Sequence, residues 1–301
     1  MASRPRSVVI TGASSGIGAA CALHLDKLGF KVFAGVRRQA DAEALRAKAS
    51  PRLTPIALDV ADTLSISTAA SAVAGAVGDA GLDGLVNNAG IVVPGPVEFL
   101  PLPDLRRQLE INVVGQVAVT QAFLPLIRAA HGRIVNMGSI SGRLATPFSS
   151  AYGASKFALE ALTDALRLEL APWGISVSII EPGAVATPIW EKGAKTAEAM
   201  LASAPPEALA LYGEAIEAFR KTSAYSAKNA ADPMDVARVV EHALTAARPK
   251  TRYVVGRRAK IGAAMALLVP DRVRDSLVAK AMRLPKTAPT SPPKAGEGAW
   301  G

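Results

Sequence analysis

Short β-branched runs alternate with longer Ala- and Leu-rich stretches along most of this chain. The runs with strand character are Ser7–Ile10, Lys31–Val36, Leu53–Leu58, Gly84–Asn87, Arg133–Asn136, Ile175–Ile180 and Arg252–Val255. Between them, helical patterning predicts helices near 16–28, 41–49, 62–77, 103–129, 152–171 and 233–246. Val8-Val9-Ile10 and Val177-Ser178-Ile179-Ile180 are almost continuously apolar, as strands covered on both faces must be. The strand–helix alternation predicts an α/β fold: a doubly wound parallel sheet of about seven strands with helices on both faces. No internal repeat of fixed period is present.

Three segments leave that pattern. Residues 186–230 are Ala- and Glu-rich, broken by Pro188, Pro205 and Pro206, and follow the sixth strand. An insertion at the carboxyl end of a sheet is expected to cover a substrate. Residues 257–284 form a basic amphipathic appendage with Ile261, Met265, Leu268, Val273, Leu277 and Val278 on it. Residues 285–301 are rich in Pro, Gly, Lys and Thr and are expected to be disordered. The expected organisation is one domain over 1–256, the appendage and the tail.

Charge first suggests a nucleic-acid partner, because the net charge is +9. Its distribution argues otherwise. Residues 1–247 carry 22 basic and 22 acidic side chains, and residues 248–301 carry 12 and 3. The excess belongs to the C-terminal segment, whose reading is a solubilising end-piece or a contact with an anionic surface. No recognition motif supports nucleic-acid binding. Packing of the appendage on the domain is favoured over shallow membrane contact. Val8–Ile10 is too short for the apolar core of a signal peptide, and no run reaches the roughly 18 apolar residues of a membrane span. One cysteine, Cys21, and three scattered histidines, His24, His131 and His242, give neither a disulfide framework nor a metal cluster. A cytoplasmic location is expected, with peripheral membrane association as the alternative.

Thr11-Gly12-Ala13-Ser14-Ser15-Gly16-Ile17-Gly18 joins the first strand to the first helix. Glycines there let the backbone turn tightly against a pyrophosphate, and the helix N-terminus offers free N–H groups. Tyr152 and Lys156 lie four apart on a predicted helix and share a face. A free phenol has a pKa of about 10. A neighbouring ammonium favours the phenolate and makes such a pair a tuned acid/base unit. Alone, Tyr-x3-Lys is common on exposed helices; its weight comes from company.

Together these motifs resemble the short-chain dehydrogenase/reductase family. Thr11–Gly18 resembles its TGxxxGxG signature, and the likeness continues through Asn87-Asn88-Ala89-Gly90, Asn112, Ser139, Tyr152-x-x-x-Lys156 and Pro182-Gly183, over roughly residues 7–256. The resemblance implies a Rossmann-type NAD(P) oxidoreductase. Ser139, thirteen residues before Tyr152 as in the family, would hold the substrate oxygen, with Ser141 as the competing candidate. Asn112 would anchor a water continuing the proton path from Lys156. Gly12, Ser14, Ser15, Gly16, Ile17 and Gly18 would cradle the pyrophosphate. Asp59 and Val60 would hold the adenine, a helix cap being the competing reading for Asp59. Asn87, Ala89 and Gly90 would line the adenine-side ribose. Tyr152 and Lys156 would touch the nicotinamide ribose, and Pro182, Gly183, Val185 and Thr187 the nicotinamide.

The second strand ends Val36-Arg37-Arg38. With no acid at its end and two guanidinium groups following, NADP(H) is expected over NAD(H). Candidate pocket residues Val92, Val93, Leu144, Phe148, Ile189 and Trp190 are mainly apolar. A small lipophilic alcohol or ketone is the expected substrate, and the stretches Val32–Arg38, Leu58–Val60 and Tyr253–Gly256 look like the retinol and hydroxysteroid dehydrogenase branch. By family analogy the chain forms a homo-oligomer through the helices near 103–129 and 152–171. The competing readings are a nucleotide-sugar epimerase or dehydratase and a non-catalytic dinucleotide sensor.

Overall fold

In the computed structural model, which describes residues 4–285 and 287, the strands are β1 (Ser7–Ile10), β2 (Lys31–Val36), β3 (Leu53–Ala57), β4 (Gly84–Asn87), β5 (Arg133–Met137), β6 (Ser176–Pro182) and β7 (Arg252–Val255). They form one all-parallel sheet in the order β3-β2-β1-β4-β5-β6-β7. The chain winds outward from β1 to β3, then returns to lay β4 against β1, where Val9 is in register with both Phe33 and Leu85. The crevice at that reversal is where doubly wound sheets bind ligands.

Alternation along each strand sends side chains to two cores. On one face Val8, Ile10, Val86 and Ile180 pack against α1 (Gly16–Lys27), α2 (Gln39–Arg46) and α9 (Pro233–Thr245). On the other, Val9, Leu85, Ile134 and Val177 meet α3 (Thr63–Val77), α5 (Gly115–Ala129) and α6 (Ser150–Leu170), with Val73, Phe123 and Leu166 between them. Every residue of β1 and β4 is buried, as strands covered on both faces must be, with Ser7 and Asn87 as their buried polar ends.

Two boundaries differ from the sequence expectation for tertiary reasons. β6 extends to Pro182 because β7 pairs with it there, Glu181 opposite Val254 and Pro182 opposite Val255. The helix expected over 103–129 is instead α4 (Leu102–Leu109) and α5, joined by a π turn at Glu110–Val114. That run is apolar enough by composition to cross a membrane, yet Val119, Phe123 and Ile127 are fully buried in the core.

The 186–230 segment contains α7 (Ile189–Ser203) and α8 (Pro206–Lys228), with Pro205 and Pro206 at the break. Its two ends are tied together: Ala186 N–H donates to the Ala231 carbonyl and Ala231 N–H to the Ala184 carbonyl, each 2.9 Å. The appendage forms α10 (Arg257–Leu268) and α11 (Asp271–Met282). Ala259, Gly262 and Ala263 of α10 are buried, and Gly262 faces Ile140. The Arg258 guanidinium lies 5.1 Å from the Tyr225 ring of α8. The expected disordered tail lies outside the described residues apart from Pro285 and Thr287.

Phe123 is the largest fully buried side chain. Phe123→Ala is expected to lower unfolding free energy by about 3–5 kcal/mol, read from urea denaturation.

Candidate active site

The glycine loop owes its shape to backbone conformations that side chains resist. Gly12 and Gly16 have φ of +65° and +57°. A Cβ on Gly18 would lie 2.3 Å from the Gly12 carbonyl oxygen, and one on Gly16 would lie 2.9 Å from a methyl of Thr187. Ser15 is the N-cap of α1 but makes no side-chain cap bond. The first-turn N–H groups therefore face the crevice without a side-chain acceptor, a ready anion site. Ser14 is exposed beside them, and Ile17 packs on the α1–α9 core. These residues fit a dinucleotide pyrophosphate.

A second loop clasps the first. Thr11 Oγ1 accepts from the N–H groups of Asn88 (2.9 Å) and Ala89 (3.0 Å). Asn88 Nδ2 donates to the carbonyls of Thr11 (2.9 Å) and Gly12 (3.2 Å). Asn88 thus orders the cradle, a role the motif reading did not assign although the residue stood in the motif. The Asn87 side chain is fully buried, donating to Thr120 Oγ1 (2.9 Å) and Asn136 Oδ1 (3.0 Å), which leaves its backbone to face the expected ribose. Ala89 and Gly90 remain at the crevice, Gly90 against Asn112.

Across the crevice, α6 carries Tyr152, part-buried, and Lys156, 3% exposed. Lys156 Nζ lies 5.6 Å from the Tyr152 ring centroid and donates to the Met137 carbonyl at 2.7 Å. Burial pulls the ammonium down to about 8, with Glu160 opposing. Burial raises the Tyr152 phenol above its ordinary value, and hydrogen bonding to Ser139 pulls it the other way. Ser139 is buried, and its Oγ accepts the Ser141 N–H at 3.1 Å, so Ser141 supplies backbone and Ser139 the hydroxyl. Asn112 sits at the π turn with its side chain saturated by the Ile91 N–H (2.9 Å), the Ile91 carbonyl (3.1 Å) and Ser155 Oγ (3.1 Å).

At the far end of the crevice, Arg37, Asp59, Arg106, Arg107 and Glu110 line a cleft. Arg37 Nη1 is 3.9 Å from Asp59 Oδ2. Arg38 is drawn away, forking onto Asp41 at 2.8 and 2.7 Å. So of the expected pair, Arg37 alone faces the cleft, and Arg106 and Arg107 join it from α4. Asp62, not Asp59, caps α3. Val60 is buried, with its carbonyl against Gly115.

Past β6, Pro182 is buried, Gly183 N–H donates to Val255, and Trp190 Nε1 donates to the Val185 carbonyl at 2.8 Å. Thr187 lies against Gly16, so the loop after β6 and the glycine loop meet.

An apolar pocket lies beneath α7 and α8, lined by Phe99, Phe148, Met200, Leu201 and Phe219 among others. Of the six candidate pocket residues only Phe148 belongs to it. Val93 is buried with its N–H on Gln108 Oε1, and Leu144 turns toward Gly262. The lid residues were missed because 186–230 has no strand or helix pattern that points at a partner. Phe148 holds a φ of +61°, at a cost of about 1–2 kcal/mol for a bulky residue. Its ring stands 5.7 Å from Phe219 and 6.3 Å from Tyr212.

The model of the short chain dehydrogenase family matches residues 6–198. The chain is a short-chain dehydrogenase. The dehydrogenase is 41% identical to retinol dehydrogenase 5 of Mus musculus, over 90% of this chain and 87% of that one. It is 37% identical to 17-beta-hydroxysteroid dehydrogenase type 6 of Bos taurus, over 93% and 90%. A short-chain dehydrogenase structure from Streptomyces avermitilis superposes with a TM-score of 0.74 at 30% identity, covering 94% of this chain and 99% of that one. This dehydrogenase is therefore an NAD(P)-dependent oxidoreductase that acts on CH–OH or C=O groups of a small molecule.

Asn88→Ala is expected to cost about 1–3 kcal/mol of stability by orphaning the Thr11 and Gly12 carbonyls. It should also weaken NADPH binding, measured by cofactor fluorescence titration.

Proposed function

We propose that the dehydrogenase interconverts a lipophilic alcohol and its ketone or aldehyde, with Tyr152 as general acid/base and NADP(H) as the preferred cofactor. The observation that supports this most is the buried Lys156 ammonium 5.6 Å from the Tyr152 ring, beside Ser139 and opposite the glycine cradle. The cofactor supplies the hydride. Ser139 Oγ orients the substrate oxygen toward the Tyr152 hydroxyl. Tyr152 gives its proton to that oxygen in reduction and takes it back in oxidation. Lys156, charged below about 8, favours the phenolate form that must exist between those events. Asn112 fixes the Ile91 backbone beside α6, and the proton path from Lys156 would run past it.

The aromatic pocket under α7 and α8 supports a lipophilic substrate: its walls are Phe99, Phe148, Met200 and Phe219, with no charged side chain in its lining. Retinol dehydrogenase 5 and 17-beta-hydroxysteroid dehydrogenase type 6, by name, act on substrates of that character. Arg37, with Arg106 and Arg107 across the cleft, supports a phosphate on the adenine-side ribose.

Tyr152→Phe is expected to cut turnover by about 10²–10⁴ while leaving NADPH affinity nearly unchanged. The assay is cofactor depletion over retinoid and hydroxysteroid substrates; retained turnover on a verified substrate would sink the assignment. NADPH is expected to outperform NADH at equal concentration, and Arg37→Glu to reverse the order through charge repulsion. An NADH preference in the unmodified enzyme would refute the cofactor reading.

A further inference from the structure

Behind Lys156 lies a group of buried charges that the chemistry above does not use. Glu160 follows Lys156 by one turn of α6 and is 9% exposed. Its Oε2 accepts from Arg252 Nε of β7 at 3.1 Å, while Oε1 is buried with no hydrogen-bond partner. Glu181 of β6 is fully buried, accepts from Arg143 Nη2 at 2.8 Å and lies 3.6 Å from Arg252 Nε. Arg252 also forks onto Asp164, one further turn along α6. Arg143 directly follows the short turn at Ile140–Gly142 that carries Ser141, and a Cβ on Gly142 would touch both the Lys156 carbonyl and Glu160 Cγ. Charged groups thus face Glu160 from every element packed on it: Lys156 and Asp164 from its own helix, Arg143 from the turn, Glu181 from β6 and Arg252 from β7.

We propose that Glu160 is a positioning residue for the reaction, its carboxylate holding the charge of the Lys156 ammonium from behind, with Glu181, Arg143 and Arg252 setting whether Glu160 itself is ionised. The proposal rests on the assignment of Lys156 to the proton-transfer site. Two carboxylates enclosed together resist joint ionisation. Here two guanidinium groups offset them, and Lys156 is the remaining cation of the set. Burial first, and the Glu181 charge second, raise Glu160 to about 7 against the pull of Arg252. Glu160 in turn supports the charged form of Lys156 against burial. The sign follows. Above about 7 Glu160 is an anion and sustains Lys156. Removing that anion lets Lys156 lose its proton at lower pH, so the alkaline limb of activity moves down.

The test labels the full chain at lysine Cε and glutamate Cδ and follows both by NMR from pH 5 to 10. In the unmodified protein Glu160 is expected to titrate well above the ordinary carboxylate range; titration near 4 overturns the proposal. In Glu160→Gln the Lys156 midpoint should fall by roughly one pH unit, and an unmoved midpoint overturns it. Should Glu160→Gln not fold, Glu181→Gln is the second arm. Relief of repulsion should move the Glu160 midpoint down, and no movement overturns the proposal. In turnover, Glu160→Gln should shift the alkaline limb of kcat to lower pH, with Glu160→Asp partly restoring it. A uniform loss with an unshifted limb marks a merely structural role. Retained turnover in Tyr152→Phe defeats the catalytic assignment instead, and leaves the Lys156 titration as an independent reading.

Discussion

The clasp between Thr11 and Asn88 is the contact on which the cofactor side of this molecule depends. One hydroxyl accepts two N–H groups, and one amide donates to two carbonyls, so four backbone groups at the reversal of the sheet are satisfied by two side chains. The clasp joins the loop after β1 to the loop after β4. Gly18 lies against both Gly12 and Asn88, leaving no room for a Cβ, and α1 therefore begins where its first N–H groups point into the crevice. Below it a ladder of buried polar groups, Thr120–Asn87–Asn136–Thr163, ties α5, β4, β5 and α6 together. The two sides of the crevice are tied together by hydrogen bonds between buried groups, where losing a partner is costly.

On the opposite side the controlling quantity is burial. Tyr152 and Lys156 are both enclosed, and enclosure moves both away from the charged form: the phenol up, the ammonium down to about 8. The polar groups around them work against that. Ser139 favours the phenolate, the Met137 carbonyl accepts a hydrogen bond from the ammonium, and Glu160 supports the ammonium charge. The Glu160–Glu181–Arg143–Arg252 group links this balance to β6, β7 and the turn after Ser139. Buried ion pairs of this kind contribute little to net stability, because desolvation offsets the attraction.

The third element beside the crevice is the α7–α8 segment. α7 and α8 leave the sheet and return to it through one pair of hydrogen bonds between residues 184–186 and Ala231. Tyr212 Oη donates to Glu98 at 2.6 Å, and its ring meets Phe99 edge-on, so α8 rests on the loop after β4. α11 and α10 brace it from behind through Met282 and Arg258. The basic C-terminal segment is thereby packed on α8, while Ile261, Leu267 and Leu268 stay exposed.

The sequence by itself determined the sheet and the inventory of the site. The central strands were legible because parallel strands buried on both faces are largely apolar, and the glycine loop because its positive φ angles and close contacts favour glycine. Ser139, Tyr152 and Lys156 were legible as a set because their spacings repeat a family pattern. Tertiary structure decided what depends on residues distant in the chain. Asn87 and Asn88 are adjacent and chemically identical, yet one is buried in the polar ladder and the other clasps the cradle, because successive residues leaving β4 face opposite ways. Arg37 and Arg38 are likewise indistinguishable until Asp41 captures one of them. The π turn at Asn112 and the aromatic pocket under the lid follow from packing between segments whose own patterns are ordinary. Glu160 is one more acidic residue on an amphipathic helix until β6 and β7 close over it and remove the water that would have made its charge inconsequential.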